Sequence, residues 1–312
     1  MTVAPIHTDR FWDSFVRNAW DGEPAYFPKA TLGPFATPEE LFELLLEAAR
    51  RRNKSSNLVN MRFYLNGSNR TVFEDYKDFL PTPADGSLVE YNRRLEKTVP
   101  GGKWGIVLNE FHRYSPTLWE RGREILFKLF DRIGLPGGQV TLDCFMGNYD
   151  RTPFGVHKDQ FHVFTFPILG EKTIRLWPFQ PLAKLANQSD SLLLVAGQTG
   201  IRDALPPGLE STDLRASPGD VLYWNPTYWH IAHGGQGLNA TITFGLQPTR
   251  RVQAWAETFF PKVETRFEPA RMKIQQGSLP HNAQAKTLRT GLKLLAKEVA
   301  SKAFQERLED EW

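Results

Sequence analysis

The feature that most constrains the fold is a series of short apolar segments in the second half of the chain, each bounded by turn residues. After a Pro-Gly-Gly sequence at 136–138, five such segments follow: 139–147, 161–169, 172–177, 220–224 and 240–246. Short strands at this spacing are typical of antiparallel sandwiches and barrels. The sequence therefore predicts a mainly β core over about 139–247. Between the third and fourth segments, 180–218 is predicted to be a long loop of the kind that often carries function.

Helical patterns flank this core. A short helix is predicted over 8–20, and Thr37 with Glu40 forms the capping box of a second helix. Ser115 begins a third helix that ends at Gly134, a residue type common just past helix ends. The fold class is therefore predicted as mainly β with flanking helices.

The C-terminal part of the chain is predicted to be helical. Leucine, valine and alanine residues recur at helical spacing among many charged residues over 283–308. Such an amphipathic helix must bury its apolar stripe on its own domain or on a second subunit. We therefore expect a catalytic domain over 1–250, a C-terminal helical region over 251–312, and a homodimer formed through that region.

Composition narrows the class of protein. Cys144 is the single cysteine, so no intrachain disulfide can form and a reducing compartment is expected. The first residues lack the pattern of a signal peptide, and the apolar runs are too short to span a bilayer. These features predict a cytoplasmic protein. A net charge of +3 does not indicate a nucleic-acid partner.

The chemically most informative pair is His157 and Asp159, two residues apart in a β-prone segment, where both side chains would point to the same face. The spacing alone means little. With seven His and 35 acidic residues among 312, about one such pair is expected by chance, and His7-Thr8-Asp9 is another instance. We assign His7 and Asp9 to a capped helix start. Strand context distinguishes His157 and Asp159 from them.

A third ligand is predicted at His230. A Pro-Gly-Asp turn at 218–220 leads into an apolar strand, and His230 follows ten residues after Asp220. Two histidines and one carboxylate form the facial triad of non-haem iron(II) oxygenases, which leaves other iron positions open. His233, three residues further on, is the competing third ligand. His162 differs in strand parity from His157 and is predicted to face away from the site.

These motifs resemble those of the iron(II)- and 2-oxoglutarate-dependent oxygenases of the JmjC type, part of the cupin superfamily. The similarity is greatest to bacterial ribosomal oxygenases and to the asparaginyl hydroxylase called factor inhibiting HIF. In these proteins a basic residue lies 15 positions after the first histidine ligand, and here that position holds Lys172. The run 159–164, Asp-Gln-Phe-His-Val-Phe, also matches the ribosomal oxygenases. The resemblance is specific over roughly 140–247.

The resemblance implies a double-stranded β-helix, or jelly roll, as the core. It implies Fe(II) bound by His157, Asp159 and His230, and 2-oxoglutarate with its distal carboxylate on Lys172. With O2, these would hydroxylate an amino-acid side chain in a protein or peptide, including the precursor of a peptide natural product. Lysine demethylation is less expected, because nothing in the sequence indicates a methylammonium cage.

The sequence also departs from the pattern of factor inhibiting HIF. A threonine and an asparagine of its co-substrate pocket correspond to Phe154 and Val163 here. Thr165 shares the strand parity of His157 and is predicted to supply a hydroxyl to 2-oxoglutarate instead.

Two other functions remain open at this point. One is a non-oxidative, metal-dependent cupin isomerase or lyase. The other is a β-barrel binding module without catalysis.

Overall fold

The computed structural model describes residues 3–247, except for 55–58, 66–70, 73–75, 137, 153, 180–181, 183–191, 196–197, 202–204 and 206–207. These described residues fall within the first of two units into which the chain divides, Met1–Pro248. The predicted C-terminal helical region, with its amphipathic segment, lies outside the described residues. Both the division near residue 250 and the homodimer therefore stay predictions.

Four α-helices precede the central strands. They are α1 (Asp9–Asn18), α2 (Pro38–Lys54), α3 (Leu88–Thr98) and α4 (Pro116–Ile133). Their N-termini carry the expected caps: the Thr8 and Ser115 side chains accept hydrogen bonds from backbone N–H groups of the first turn. Thr37 and Glu40 form the predicted reciprocal capping box. Among the described residues, no helix has the length and apolar character needed to cross a bilayer.

Fourteen strands are present in the described residues. The first four are β1 (Ala25–Phe27), β2 (Met61–Leu65), β3 (Thr71–Val72) and β4 (Trp104–Leu108). The next six are β5 (Val140–Gly147), β6 (Val156–Lys158), β7 (His162–Leu169), β8 (Lys172–Trp177), β9 (Leu192–Val195) and β10 (Gln198–Ile201). The last four are β11 (Thr212–Ala216), β12 (Val221–Trp224), β13 (Trp229–Gly234) and β14 (Asn239–Leu246).

The strands form two antiparallel sheets. One has the order β1-β12-β7-β14-β5-β4-β2-β3, and the other has the order β11-β8-β13-β6-β10-β9. Strands β5 to β8 alternate between the two sheets along the chain, and β11 to β14 do so again. Two such sets of four strands give the cupin-like arrangement of a double-sheet jelly roll.

Three sequence predictions about strands require correction. The β-prone segment that contains His157 and Asp159 is not continuous with the 161–169 strand: His157 lies on the separate strand β6, in the opposite sheet from β7. The predicted loop over 180–218 contains β9, β10 and β11. His230 lies within a strand, β13, and not at the end of β12. Periodicity gives little indication of these elements because strands of three to six residues contain few positions at which an alternating pattern can appear.

The helices cover the outer face of the eight-stranded sheet. Phe15 of α1 packs edge-on against Tyr223 of β12 at 4.8 Å and contacts Phe164 of β7. Helix α4 approaches the sheet closely at Gly122, where an added Cβ would lie 2.9 Å from Leu142 Cδ2. Because the helices bury the outer face, the inner face of the barrel is left to line a cavity.

Candidate metal and co-substrate site

The two histidines of the site lie directly opposite each other on neighbouring strands. His157 of β6 is the antiparallel register partner of His230 of β13, and both side chains are buried. Their ring centroids are 4.3 Å apart. Residues opposed across an antiparallel pair share one face of the sheet, so the pairing directs both imidazoles into the barrel.

Asp159 completes the cluster from just beyond the end of β6. Its Oδ2 lies 3.9 Å from His157 Nε2 and 3.5 Å from His230 Nε2. One potential ligand atom from each of the three residues lies within 4.8 Å of the others. The structure therefore brings together the three residues that the sequence predicted as metal ligands.

The protonation of the cluster suits a metal ion. His157 Nδ1 lies 3.0 Å from the Gly155 carbonyl oxygen, which can only accept a hydrogen bond, so Nδ1 is the donor and Nε2 is the ring nitrogen that faces Asp159. Burial, reinforced by His157, lowers the pKa of His230 to about 3, which keeps that imidazole neutral. Asp159 Oδ1 is buried and has no hydrogen-bond partner among the described residues. Imidazole nitrogens and an unpaired carboxylate oxygen are ligands that suit iron(II).

Lys172 is the buried cation of the site. The turn at Gly170, whose φ is +70°, places Lys172 at the first position of β8. The side chain is 3% exposed, and its ammonium donates to the Tyr149 hydroxyl at 2.8 Å. Among the described residues, no carboxylate forms an ion pair with it. Burial lowers its pKa from 10.5 to about 7.

Threonine residues line the same cavity as Lys172. Thr152 Oγ1 and Thr241 Oγ1 are buried and unpartnered within the described part of the chain. Thr165, the predicted hydroxyl donor, also lines the cavity, where its Oγ1 lies 3.4 Å from Thr243 Oγ1. Thr165 is thus placed on the inner face, but its hydroxyl already has a partner, whereas those of Thr152 and Thr241 do not.

The triad and Lys172 share one cavity of about 480 Å³, a size typical of small-molecule sites. Aromatic and aliphatic side chains line much of it, including Phe154, Val163 and Trp224. A further wall is polar and carries Arg62 and Asp143. Burial raises the pKa of Asp143, and hydrogen bonds from Asn109 and from the Glu110 backbone partly offset the shift.

The other histidines considered from sequence lie outside the cluster. His162 stacks on Trp20 at 4.0 Å, and its Nδ1 is 2.9 Å from the Tyr223 hydroxyl. His233 follows the inward-facing Ala232 and is absent from the cavity lining. Cys144 is buried against the helices, and burial raises its pKa to about 12, as expected of an unreactive thiol.

Sequence reasoning missed Tyr149 and the polar wall. Tyr149 follows β5, and its hydroxyl contacts the Lys172 ammonium because the fold brings together these two residues, which are 23 positions apart in the chain. Arg62 belongs to β2, in a region of mixed sequence signals that gave no motif. A Tyr or Arg becomes informative only once the fold shows which residues it contacts: Lys172 for Tyr149 and the cavity lining for Arg62.

The fold and its cavity define a cupin-like barrel with a candidate His-Asp-His metal site. No protein-family model matches the chain, and no curated protein matches it. Its structural neighbours include structures of YcfD, a ribosomal oxygenase from Escherichia coli. One neighbour has 15% sequence identity and a TM-score of 0.47, covering 94% of this chain and 69% of YcfD. A second has 12% identity and a TM-score of 0.49, covering 94% of this chain and 67% of YcfD.

A third YcfD structure is a complex with cobalt and 2-oxoglutarate, with 16% identity and a TM-score of 0.45, covering 94% of this chain and 68% of YcfD. These neighbours are ribosomal oxygenases, the class that the sequence motifs resemble.

Proposed function

We propose that the protein is an Fe(II)- and 2-oxoglutarate-dependent dioxygenase that hydroxylates an amino-acid side chain in a protein or peptide. One observation carries the proposal: a buried lysine without a carboxylate partner among the described residues lines the same cavity as the His-Asp-His cluster. A metal site alone would suit many reactions. A metal site combined with an unpaired buried ammonium favours an anionic co-substrate that bridges the two.

His157, Asp159 and His230 would hold the iron(II). When bound there, iron(II) supplies the redox chemistry that couples decarboxylation of 2-oxoglutarate to oxygen insertion into a C–H bond. The protein contributes positions that are fixed before binding. The Gly155 carbonyl oxygen orients the His157 ring, and both histidines are already buried on paired strands.

Lys172 would bind the distal carboxylate of 2-oxoglutarate. An ammonium–carboxylate pair is a charge-assisted hydrogen bond. It would offset the free-energy cost of burying the lysine without a counter-ion. Tyr149 holds the ammonium in place. The unpartnered hydroxyls of Thr152 and Thr241 are the best additional donors to the carboxylate, and Thr165 is the next.

The remaining features of the proposal concern the substrate and its location. We infer a protein or peptide substrate from the resemblance of the sequence motifs to JmjC-type hydroxylases. We place the enzyme in a reducing, cytoplasmic compartment because Cys144 is its single cysteine. The C-terminal region over 251–312 is proposed to mediate a homodimer.

The test is the formation of succinate. Protein reconstituted with Fe(II) is incubated with 2-oxoglutarate, O2 and a peptide extract, and succinate is measured against carbon dioxide released from carbon 1. The proposal predicts equal amounts of the two products, dependent on iron. In each turnover, one oxygen atom of O2 enters succinate and the other enters the hydroxylated substrate.

Two variants provide matched controls. His157→Ala should abolish succinate formation, whereas His7→Ala, in the other His-x-Asp sequence, should not change it. Succinate no higher in the wild type than in His157→Ala under all conditions would refute the dioxygenase. Turnover of another substrate by the zinc or manganese form, with no use of O2, would instead support a cupin isomerase or lyase.

A further inference from the structure

The polar wall of the cavity is built from three side chains on neighbouring elements. Arg62 of β2 donates from Nη2 to Asn109 Oδ1 at 3.2 Å. Asn109 Nδ2 donates in turn to Asp143 Oδ1 at 3.0 Å, and the Glu110 backbone N–H donates to the same oxygen at 3.1 Å. We call these three residues the Arg62–Asn109–Asp143 chain.

Arg62 has an unused donor on this wall. Its Nε is buried and has no hydrogen-bond partner among the described residues. Leaving such a donor unpaired is costly, so an unpaired buried donor on a residue that lines a cavity favours the binding of a ligand acceptor. The guanidinium carbon lies 5.4 Å from the centre of the Phe154 ring, and that ring lies 5.7 Å from the His157 ring. Arg62 is therefore separated from the metal cluster by a single aromatic side chain.

The charges of the wall indicate what kind of acceptor fits. Arg62 and Asp143 carry opposite charges and are joined through the neutral amide of Asn109. Glu110 also lines the wall, but its carboxylate is paired with Arg113 at 3.1 Å. Because the wall is already charge-balanced, a carboxylate ligand would leave an excess of buried negative charge, whereas a neutral acceptor would not.

We propose that the Arg62–Asn109–Asp143 chain is a subsite for a peptide group of the substrate, whose carbonyl oxygen accepts a hydrogen bond from Arg62 Nε. This inference rests on the proposed function and adds to it a position for the substrate backbone. The subsite holds the peptide beside Phe154 while the side chain to be modified extends toward the triad. Asn109 and Asp143 act as positioning residues because they orient the guanidinium.

The test uses capped tripeptides, N-acetyl-Ala-X-Ala-amide with each of the twenty residues as X. Binding is measured by ligand-observed NMR with the full chain, independently of turnover. The tightest peptide is then remade with an ester in place of each peptide group in turn. One of these esters should bind the wild type more weakly, because an ester carbonyl is the poorer acceptor and the ester lacks the N–H.

Variants of Arg62 complete a double-mutant cycle with the ester peptides. Arg62→Gln should raise the Kd and KM of the tightest peptide about tenfold to a hundredfold, the loss expected for a hydrogen bond from a charged donor. In this variant the sensitive ester should lose no further affinity. The affinity for 2-oxoglutarate should stay within twofold of the wild type. Arg62→Lys keeps the charge without Nε, and we expect it to bind like Arg62→Gln.

Arg123→Gln is the matched control. The guanidinium carbon of Arg123 also lies 5.4 Å from the centre of an aromatic ring, that of Phe127. Arg123 pairs with Glu120, but it lies on the surface of α4. This variant should bind peptides like the wild type. The subsite is refuted if no capped peptide binds, if the ester effect persists in Arg62→Gln and Arg62→Lys, or if free carboxylate peptides bind more tightly than amides. Peptide binding without any 2-oxoglutarate turnover would refute the proposed function and leave the subsite intact.

Discussion

Lys172 should destabilise the protein when no co-substrate is bound, and replacing it with methionine should stabilise the fold. The pKa of Lys172 in the folded state is about 7, below the pKa near 10.4 of a lysine in an unfolded chain. Between these values the unfolded chain binds more protons than the folded one, so stability rises with pH across this window. The shift of somewhat more than three units corresponds to an upper limit of about 5 kcal/mol at pH 7 and below.

Lys172→Met removes this penalty. Its advantage over the wild type should be several kcal/mol near pH 6 and should shrink by about 1 kcal/mol per pH unit between pH 7 and 9. The assay is denaturant unfolding at pH 6, 7, 8 and 9 without 2-oxoglutarate. Lys97→Met, at an exposed position of α3, is the control and should show no such trend. Equal stability of the wild type and Lys172→Met at every pH would refute the claim that Lys172 is buried without a counter-ion.

The same pKa predicts how co-substrate binding depends on pH. A carboxylate on Lys172 requires the charged ammonium, and the protonated fraction falls from about one half at pH 7 to about one hundredth at pH 9. The affinity for 2-oxoglutarate should therefore fall roughly fiftyfold over this range, with proton uptake on binding visible by calorimetry in buffers of different ionisation enthalpy. Affinity that does not change with pH would mean that Lys172 is not the anchor.

Three further predictions concern the His-Asp-His cluster and the core. His157→Ala should lower bound iron from one ion per chain to near zero, while His7→Ala should leave it unchanged. The iron content of each variant is measured by elemental analysis after gel filtration. Gly122→Leu should destabilise the fold by about 1–3 kcal/mol in denaturant unfolding, because Leu142 already lies where a Cβ would point. Cys144 should resist alkylation in the native protein and react once it is unfolded, because burial raises its pKa to about 12; fast native labelling would contradict its placement.

The sequence predicted those elements whose signals are local. The capping residues Thr37 and Glu40 define the start of α2 through contacts three residues apart, and the apolar run at 161–169 is long enough to identify β7. Local signals fail at β6, a three-residue strand that pairs with β13 by the single partnership of His157 and His230. That pairing joins positions 73 residues apart and depends on the order of the whole sheet.

The candidate site likewise contains residues that local spacing predicts and residues that only the fold reveals. Fixed spacing in the chain indicated His157, Asp159, Lys172 and His230, and the structure places all four around one cavity. Their roles as ligands and co-substrate anchor stay proposals. The contact of Tyr149 with Lys172 could not be predicted, because no pattern in the sequence marks a loop tyrosine as the partner of a lysine on another strand.

Binding of 2-oxoglutarate to the iron-loaded protein in the absence of O2 tests the central claim most directly. The account predicts one 2-oxoglutarate per chain, with affinity that falls sharply when iron is omitted and also when Lys172 is replaced by methionine with iron retained. Binding that is equally tight without iron, or equally tight in Lys172→Met, would contradict the claim that the cluster and the lysine together hold the co-substrate.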